Sequence, residues 1–189
     1  VGVGPGAEDA LPTVLSSRVL YTGKVVTLRV DEIVLPGGGT ALREVVRHPG
    51  AVVVAALDGD EHLHLVRQYR HAIGRYLLEL PAGGLEPDEE PLAAAQRELR
   101  EEVGLAAEEW VHLGSFYSTP GFVNELLHAY LARGLSAVPR DPDDDEDIAV
   151  IRLPLAGLLE HLEEAPDAKT LATLLLLHRF MQREQTTTT

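Results

Sequence analysis

The chain has 189 residues, 45% of them apolar, no cysteine and a formal net charge of −14. That length suits one domain, or one domain with a small appendage, and the lack of cysteine excludes disulfides and thiolate metal sites. So acidic a chain does not bind nucleic acid through a broad basic surface, and no apolar run reaches the length of a membrane-spanning helix.

Residues 1–14, VGVGPGAEDALPTV, have no basic start and no long apolar core, so they read as a flexible tail and not as a signal peptide. Residues 15–35 alternate apolar and polar positions as two strands around the turn Tyr21-Thr22-Gly23-Lys24. Pro36 to Gly39 form a second turn, and residues 40–47 read as a third strand, which His48-Pro49-Gly50 ends. The unbroken run AVVVAAL at 51–57 predicts a strand buried on both faces. Asp58-Gly59-Asp60 then turns into an alternating partner at 62–70, and a short strand follows at 77–83.

A helix is predicted over 89–103, with Pro91 in its first turn, Leu92, Ala95, Leu99 and Val103 as the apolar stripe, and Gly104 as its cap. Strands at 110–117 and 126–132 flank the loop STPGFVNE. The acidic loop 141–147, a strand at 148–154, and helices at 154–164 and 168–183 complete the chain, and 185–189 read as a second flexible tail. Strands, one helix, more strands and then helices make a mixed α/β class, and no G-x-G-x-x-G follows a strand to suggest a dinucleotide fold.

The central helix places Glu98 and Glu102 at i and i+4, with Glu101 between them. Like charges at that spacing repel. Because the apolar stripe occupies another face, the carboxylates are expected to lie outside the core. For carboxylates alone, a solvated acidic face is the simpler reading. Their density equally suits a hard divalent cation, Mg²⁺ or Mn²⁺, which converts mutual repulsion into shared attraction.

The wider spacing decides between these readings. From Gly83, five residues lead to Glu89, seven more to Arg97, and then follow Glu98, Leu99, Arg100, Glu101, Glu102, Val103, Gly104 and Leu105. Every fixed position of the pattern G-x5-E-x7-R-E-U-x-E-E-x-G-U is met, U being a bulky apolar residue. A start at Gly84 fails, because Glu90 then stands one residue too close to Arg97. The chain thus resembles the Nudix hydrolases, which cleave nucleoside diphosphates linked to another group.

That resemblance implies a Nudix-type α/β/α sandwich with a mixed sheet and an N-terminal antiparallel strand region. It implies two or three Mg²⁺ (or Mn²⁺) ions held by Glu98, Glu101, Glu102 and the carbonyl of Ala82, with Glu146 as a further ligand. Arg97 and Glu89 are expected to orient the helix carboxylates, as groups around a metal site do. Glu146 and Asp144, in the acidic loop, match the positions that supply a catalytic base. Relatives often carry Glu where this chain has the shorter Asp144. Glu125 is a third candidate.

Outside the box, residues 43–54, 66–84 and 118–125 resemble the ADP-ribose pyrophosphatase branch. The resemblance covers most of the chain from about residue 18 to 182. Pro120, 16 residues past Gly104, matches a proline associated there with ADP-ribose specificity. Arg70 matches an arginine on substrate phosphate or ribose, a task for which a bidentate guanidinium is suited, although a surface arginine at a strand end has the same local sequence. Glu79 needs a partner in its apolar strand, whether structural or substrate. Arg43, Phe122 and Glu125 complete the expected substrate contacts; Phe122 could equally pin its loop to the core.

The expected organisation is a strand region at 15–47 that forms a homodimer, followed by a catalytic domain at 48–184 in a cytoplasmic enzyme with no nucleic-acid or membrane partner. Hydrolysis of another nucleotide sugar, such as GDP-mannose, or of a dinucleoside polyphosphate is the nearest alternative reading. A non-catalytic ADP-ribose sensor is an alternative of another class.

Overall fold

The computed structural model describes residues 11–141, 147–162 and 166–187, the side chain of Thr187 excepted. It divides into two compact units, one of residues up to 48 together with 119–125, the other of 49–118 together with 126 onward.

In the first unit, β1 (Thr13–Thr22), β2 (Thr27–Val34) and β3 (Thr40–Arg47) form an antiparallel sheet in that order. The turn at 23–26 is closed by Gly23 N–H donating to the Val26 carbonyl at 2.9 Å. Every residue of β1 is exposed. The segment 119–125 pairs with the end of β3: Val46 N–H donates to the Phe122 carbonyl at 2.8 Å, and His48 N–H to Asn124 Oδ1 at 2.8 Å. The sequence marks this segment as a loop but contains nothing that names its partner.

The second unit is built on β4 (Ala51–Leu57), whose seven residues are all buried. The sheet order is β10 (Ile148–Pro154), β5 (His62–Arg70), β4, β9 (Leu126–Ala137) and β8 (Leu105–Tyr117). Two short strands join it, β6 (Arg75–Glu79) on β5 and β7 (Ala82–Gly84) on β4. The β4–β9 pair is parallel and the others antiparallel, so the sheet is mixed.

The unbroken apolar run of β4 follows from what covers it. Val53, Ala55 and Leu57 face a core with Leu158, Leu174 and Leu177. Val52, Val54 and Ala56 face a second core with Ala94, Ala95, Leu99 and Val103. Alternate residues of a strand point to opposite faces, so a strand between two helical layers must be apolar throughout. The helices are α1 (Pro91–Glu98), the short α2 (Leu158–His161) and α3 (Ala168–Thr187). This is the expected α/β/α arrangement.

Several boundaries differ from expectation. β8 starts at Leu105, not 110, because its Ala-Ala-Glu-Glu stretch, weak in strand propensity, is held by pairing of residues 105–107 with 135–137 of β9. The helix expected over 154–164 is only Leu158–His161, since β10 runs to Pro154 and Gly157 takes a left-handed φ of 74° just before the helix. α3 runs past 183 through Glu184 and Gln185, both good helix formers, with Glu184 held at 2.7 Å by Arg133. The central helix changes character within itself: α1 ends at Glu98, and Leu99–Val103 form a π-helical turn. Among the described residues, no helix is long and apolar enough to cross a membrane.

Candidate active site

The site begins where β7 and α1 meet. β7 is pinned to β4 by the pairs Val53↔Ala82, Val52↔Gly83 and Ala51↔Gly84. α1 lies on the same sheet through Ala94 and Ala95, whose small side chains are completely buried. Leu92, expected in the apolar stripe, is instead 40% exposed. Ala94 takes its place in the core.

The box carboxylates also depart from expectation. Glu98 and Glu102 are only 8% and 2% exposed, so they lie within the packed structure beside the apolar stripe. Two contacts account for this. Glu102 Oε2 accepts the Ala82 N–H at 3.0 Å, which draws it against β7. The Glu98 carboxylate occupies the space over Gly83, where a Cβ would overlap it. A Cβ on Gly84 would meet nothing nearer than the Gly50 carbonyl at 4.0 Å. The glycine demanded by the register is the one that makes room for Glu98.

Arg97 organises the rest. Its Nε donates to Glu89 Oε1 at 2.9 Å and its Nη2 to Glu89 Oε2 at 3.0 Å. Nη2 also reaches the Gly84 carbonyl at 3.0 Å, and Nη1 donates to Glu98 Oε1 at 2.7 Å and Glu101 Oε2 at 3.0 Å. Glu89 in turn closes its own loop, accepting the Glu86 N–H at 3.0 Å, while Asp88 sits at a left-handed φ of 61°. These bonds, those of Glu89 first, hold the guanidinium pKa well above its ordinary value and hold the Glu89 carboxyl below its own. At the end of the π turn, Gly104 (φ 75°) returns its N–H to the Arg100 carbonyl at 2.9 Å. A Cβ there would press on the Val138 carbonyl at 3.2 Å.

A second ionic group lies on β5 and β6. Arg70 is half-buried and grips Glu79 with two bonds, Nε to Oε1 at 2.9 Å and Nη2 to Oε2 at 2.6 Å. Lys169, which the sequence did not single out, donates Nζ to the same Oε2. Glu79 is 1% exposed. Burial pushes its carboxyl pKa up, and Arg70 and Lys169 outweigh that, leaving it below the ordinary value. The Glu79 bonds raise Arg70, which also senses the charge of Glu102. Glu79 thus finds a double partner within the chain. Only chain distance hid it, since Lys169 lies 90 residues away.

The remaining expected residues fall elsewhere. Asp144 and Glu146 lie outside the described residues. Arg43, Pro120, Phe122 and Glu125 all belong to the first unit. Arg43 donates to the Leu42 carbonyl, Phe122 is exposed, and Glu125 lies 3.7 Å from His48 Nδ1.

The donor chemistry of Glu98, Glu101 and Glu102 fits a hard divalent cation. It is all oxygen, three carboxylates occupy one and a half turns, and a single guanidinium bridges two of them. Among the described residues, no three acidic or imidazole side chains come together closely enough to hold an ion by themselves. Mg²⁺ does not require a complete protein cage, since it keeps water and substrate oxygens in its shell.

Comparison with known proteins agrees with the geometry. Residues 46–174 match the NUDIX domain, and residues 12–46 match the nucleoside diphosphate sugar hydrolase N-terminal domain. The chain is 46% identical over 142 residues to an ADP-ribose pyrophosphatase of Mycobacterium tuberculosis, covering 75% of this chain and 68% of that one. It is 41% identical over 160 residues to a methanol dehydrogenase activator of Bacillus methanolicus, covering 82% and 86%. A crystal structure of an ADP compounds hydrolase superposes with a TM-score of 0.80 at 26% identity, over 92% of this chain and 95% of that one. Nudix hydrolases use divalent cations, as the α1 carboxylates anticipate. The box from Gly83 to Leu105, the sandwich that buries Glu98 and Glu102, and these likenesses together make the chain a member of the Nudix hydrolase family.

Proposed function

We propose that this chain is a Mg²⁺-dependent ADP-ribose pyrophosphatase that yields AMP and ribose 5-phosphate. The observation that carries the reading is the group of Glu98, lying over Gly83, Glu102, bonded to Ala82 N–H, and Glu101, which shares Arg97 with Glu98. The ADP-ribose pyrophosphatase among its relatives supports the substrate.

In this reading Glu98, Glu101, Glu102 and the Ala82 carbonyl hold two or three Mg²⁺ ions, which Mn²⁺ can replace, and Glu146 adds a ligand. Bound Mg²⁺ supplies positive charge to the phosphoryl oxygens and acidity to a water. Arg97 and Glu89 keep the helix carboxylates aimed. Arg70, held by Glu79, presents its guanidinium to a substrate phosphate or ribose. Glu79 thus serves the substrate through Arg70. Glu146 or Asp144 takes the proton of the attacking water, with Glu125 as the other candidate. Water adds across the P–O–P linkage: a new P–O bond forms at one phosphorus, the bridging P–O bond breaks, and each product leaves with its own phosphate. Arg43, Pro120 and Phe122 complete the substrate contacts.

Residues 15–47 are assigned to dimerisation and 48–184 to catalysis. β1 exposes Val14, Leu15, Val19, Leu20 and Tyr21, and β3 exposes Leu42. Apolar surface at that density suits a second copy of the chain, and a monomeric mass by light scattering at micromolar concentration would overturn it. A cytoplasmic location belongs to the same reading.

The decisive experiment is a substrate panel with Mg²⁺. AMP and ribose 5-phosphate from ADP-ribose, at a kcat/KM above that for other substrates, is the expected result. Preference for GDP-mannose or a dinucleoside polyphosphate would move the substrate. Tight ADP-ribose binding without turnover would make the chain a sensor.

A further inference from the structure

We propose that Lys169 is a positioning residue for substrate recognition, acting through Glu79 to hold Arg70 in its binding orientation. The inference rests on the reading of Arg70 as a substrate-binding group.

The placement of Lys169 calls for an explanation. It is one of two lysines among 16 Lys and Arg residues, so a cation in this chain is ordinarily arginine. It stands in the first turn of α3, where the helix dipole disfavours a positive charge. Two carboxylates offset that cost: Asp167 Oδ2 lies 3.0 Å from Nζ, and Glu79 Oε2 accepts from it.

The backbone carrying Lys169 is itself fixed. Asp167 Oδ2 accepts both the N–H and the Oγ1 hydroxyl of Thr170 at 2.9 Å. Thr170 Oγ1 in turn accepts the Leu80 N–H at 3.0 Å. The start of α3 is thereby tied to the residue next to Glu79. The ammonium is held at a set distance from the carboxylate it bonds.

The chemistry also favours lysine over arginine here. Arg70 already occupies both Glu79 oxygens with its planar fork. A compact ammonium can share Oε2 without displacing that fork, whereas a second guanidinium would compete for the same plane. With Lys169 present, the Glu79 carboxylate is held from two sides and its rotamer is set. Arg70 then turns only within a fixed pair. Without Lys169, Arg70 and Glu79 move together as two flexible side chains. Among the described residues Arg70 Nη1 has no hydrogen-bond partner, so that edge of the fork is the one presented to a ligand.

The test is a double-mutant cycle on the full chain. Lys169→Met should raise KM for ADP-ribose about tenfold while kcat changes less than about twofold. In an Arg70→Gln background the same substitution should leave KM unchanged. Should Lys169→Met fail to fold, Lys169→Gln carries the same comparison. An equal rise in KM in both backgrounds, or a fall in kcat alone, would overturn the proposal. A second readout needs no turnover: the Arg70 Nε–Hε NMR signal should exchange slowly in the wild type and quickly in Lys169→Met. An unchanged signal would refute the role. Absence of ADP-ribose hydrolysis by the wild type would refute the substrate reading alone, and the NMR comparison would still judge Lys169.

Discussion

Glu79, Glu98 and Glu102 are all carboxylates packed into the second unit, yet the charge balance around Glu79 differs from that around the other two. At Glu79, one carboxylate meets two cations, Arg70 and Lys169, and Lys169 also pairs with Asp167, so charges of the two signs match. Around the π turn, the guanidinium of Arg97 is shared among Glu89, Glu98 and Glu101, the exposed Arg100 adds one bond to Glu101, and Glu102 is a fourth carboxylate nearby. Burial is common to both groups, so compensation is what distinguishes them. A carboxylate matched by fixed cations is an anchor. A group of carboxylates short of positive charge can accept more of it from a metal ion.

The largest effect is expected on the under-compensated side. Glu102→Gln keeps the size of the side chain, removes a charge, and should reduce kcat by more than the roughly 100-fold that outer-shell changes cost. Circular dichroism and Tm should stay near wild type. Near-normal turnover at saturating Mg²⁺ would end the distinction between the two groups.

The next effect is on the compensated side and is one of stability. Glu79→Gln leaves Arg70 and Lys169 as neighbouring like charges. It should cost about 3 kcal/mol, the low end for breaking a buried pair, because Arg70 reaches solvent. Urea denaturation measures it, and a change within about 0.5 kcal/mol would show that the pair anchors nothing.

A paired substitution sharpens the α1 side. Gly83→Ala should lower activity about 10- to 100-fold by displacing Glu98, and Gly84→Ala should leave it within about twofold of wild type. Equal effects at the two positions would remove the steric account of the register.

The smallest effect concerns pH. The folded Glu79 carboxyl is held below its ordinary value, so it binds a proton less readily in the folded chain than in the unfolded one. Its contribution to stability is full above the unfolded carboxyl pKa and declines as pH falls through the depressed folded value. The stability gap between wild type and Glu79→Gln should be constant near neutrality and narrow in acid. A gap that widens in acid would reverse the sign assigned to Glu79.

Local chemistry made much of this legible in advance. AVVVAAL could only be a strand covered on both faces, and Gly104 could only follow a helix end that needed a left-handed residue. The choice of Gly83 over Gly84 was available from counting. What counting could not supply was why a glycine stands there, because the answer is the Glu98 carboxylate lying over it, 15 residues later in the chain. The bond of Lys169 to Glu79 and the pairing of residues 122–124 with β3 likewise join distant parts of the chain, which no local spacing reveals.

By itself, then, the amino-acid order determined the element types, the family resemblance and the identity of the α1 glutamates, since each depends on spacings within about 20 residues. Only the tertiary structure decided that Glu98 and Glu102 are buried, that Arg97 joins Glu89, Glu98 and Glu101, and that Arg70 is gripped by a glutamate bound in turn to Lys169. Burial and ion pairing depend on which elements the sheet and helices bring together, and most of those elements are far apart in the chain.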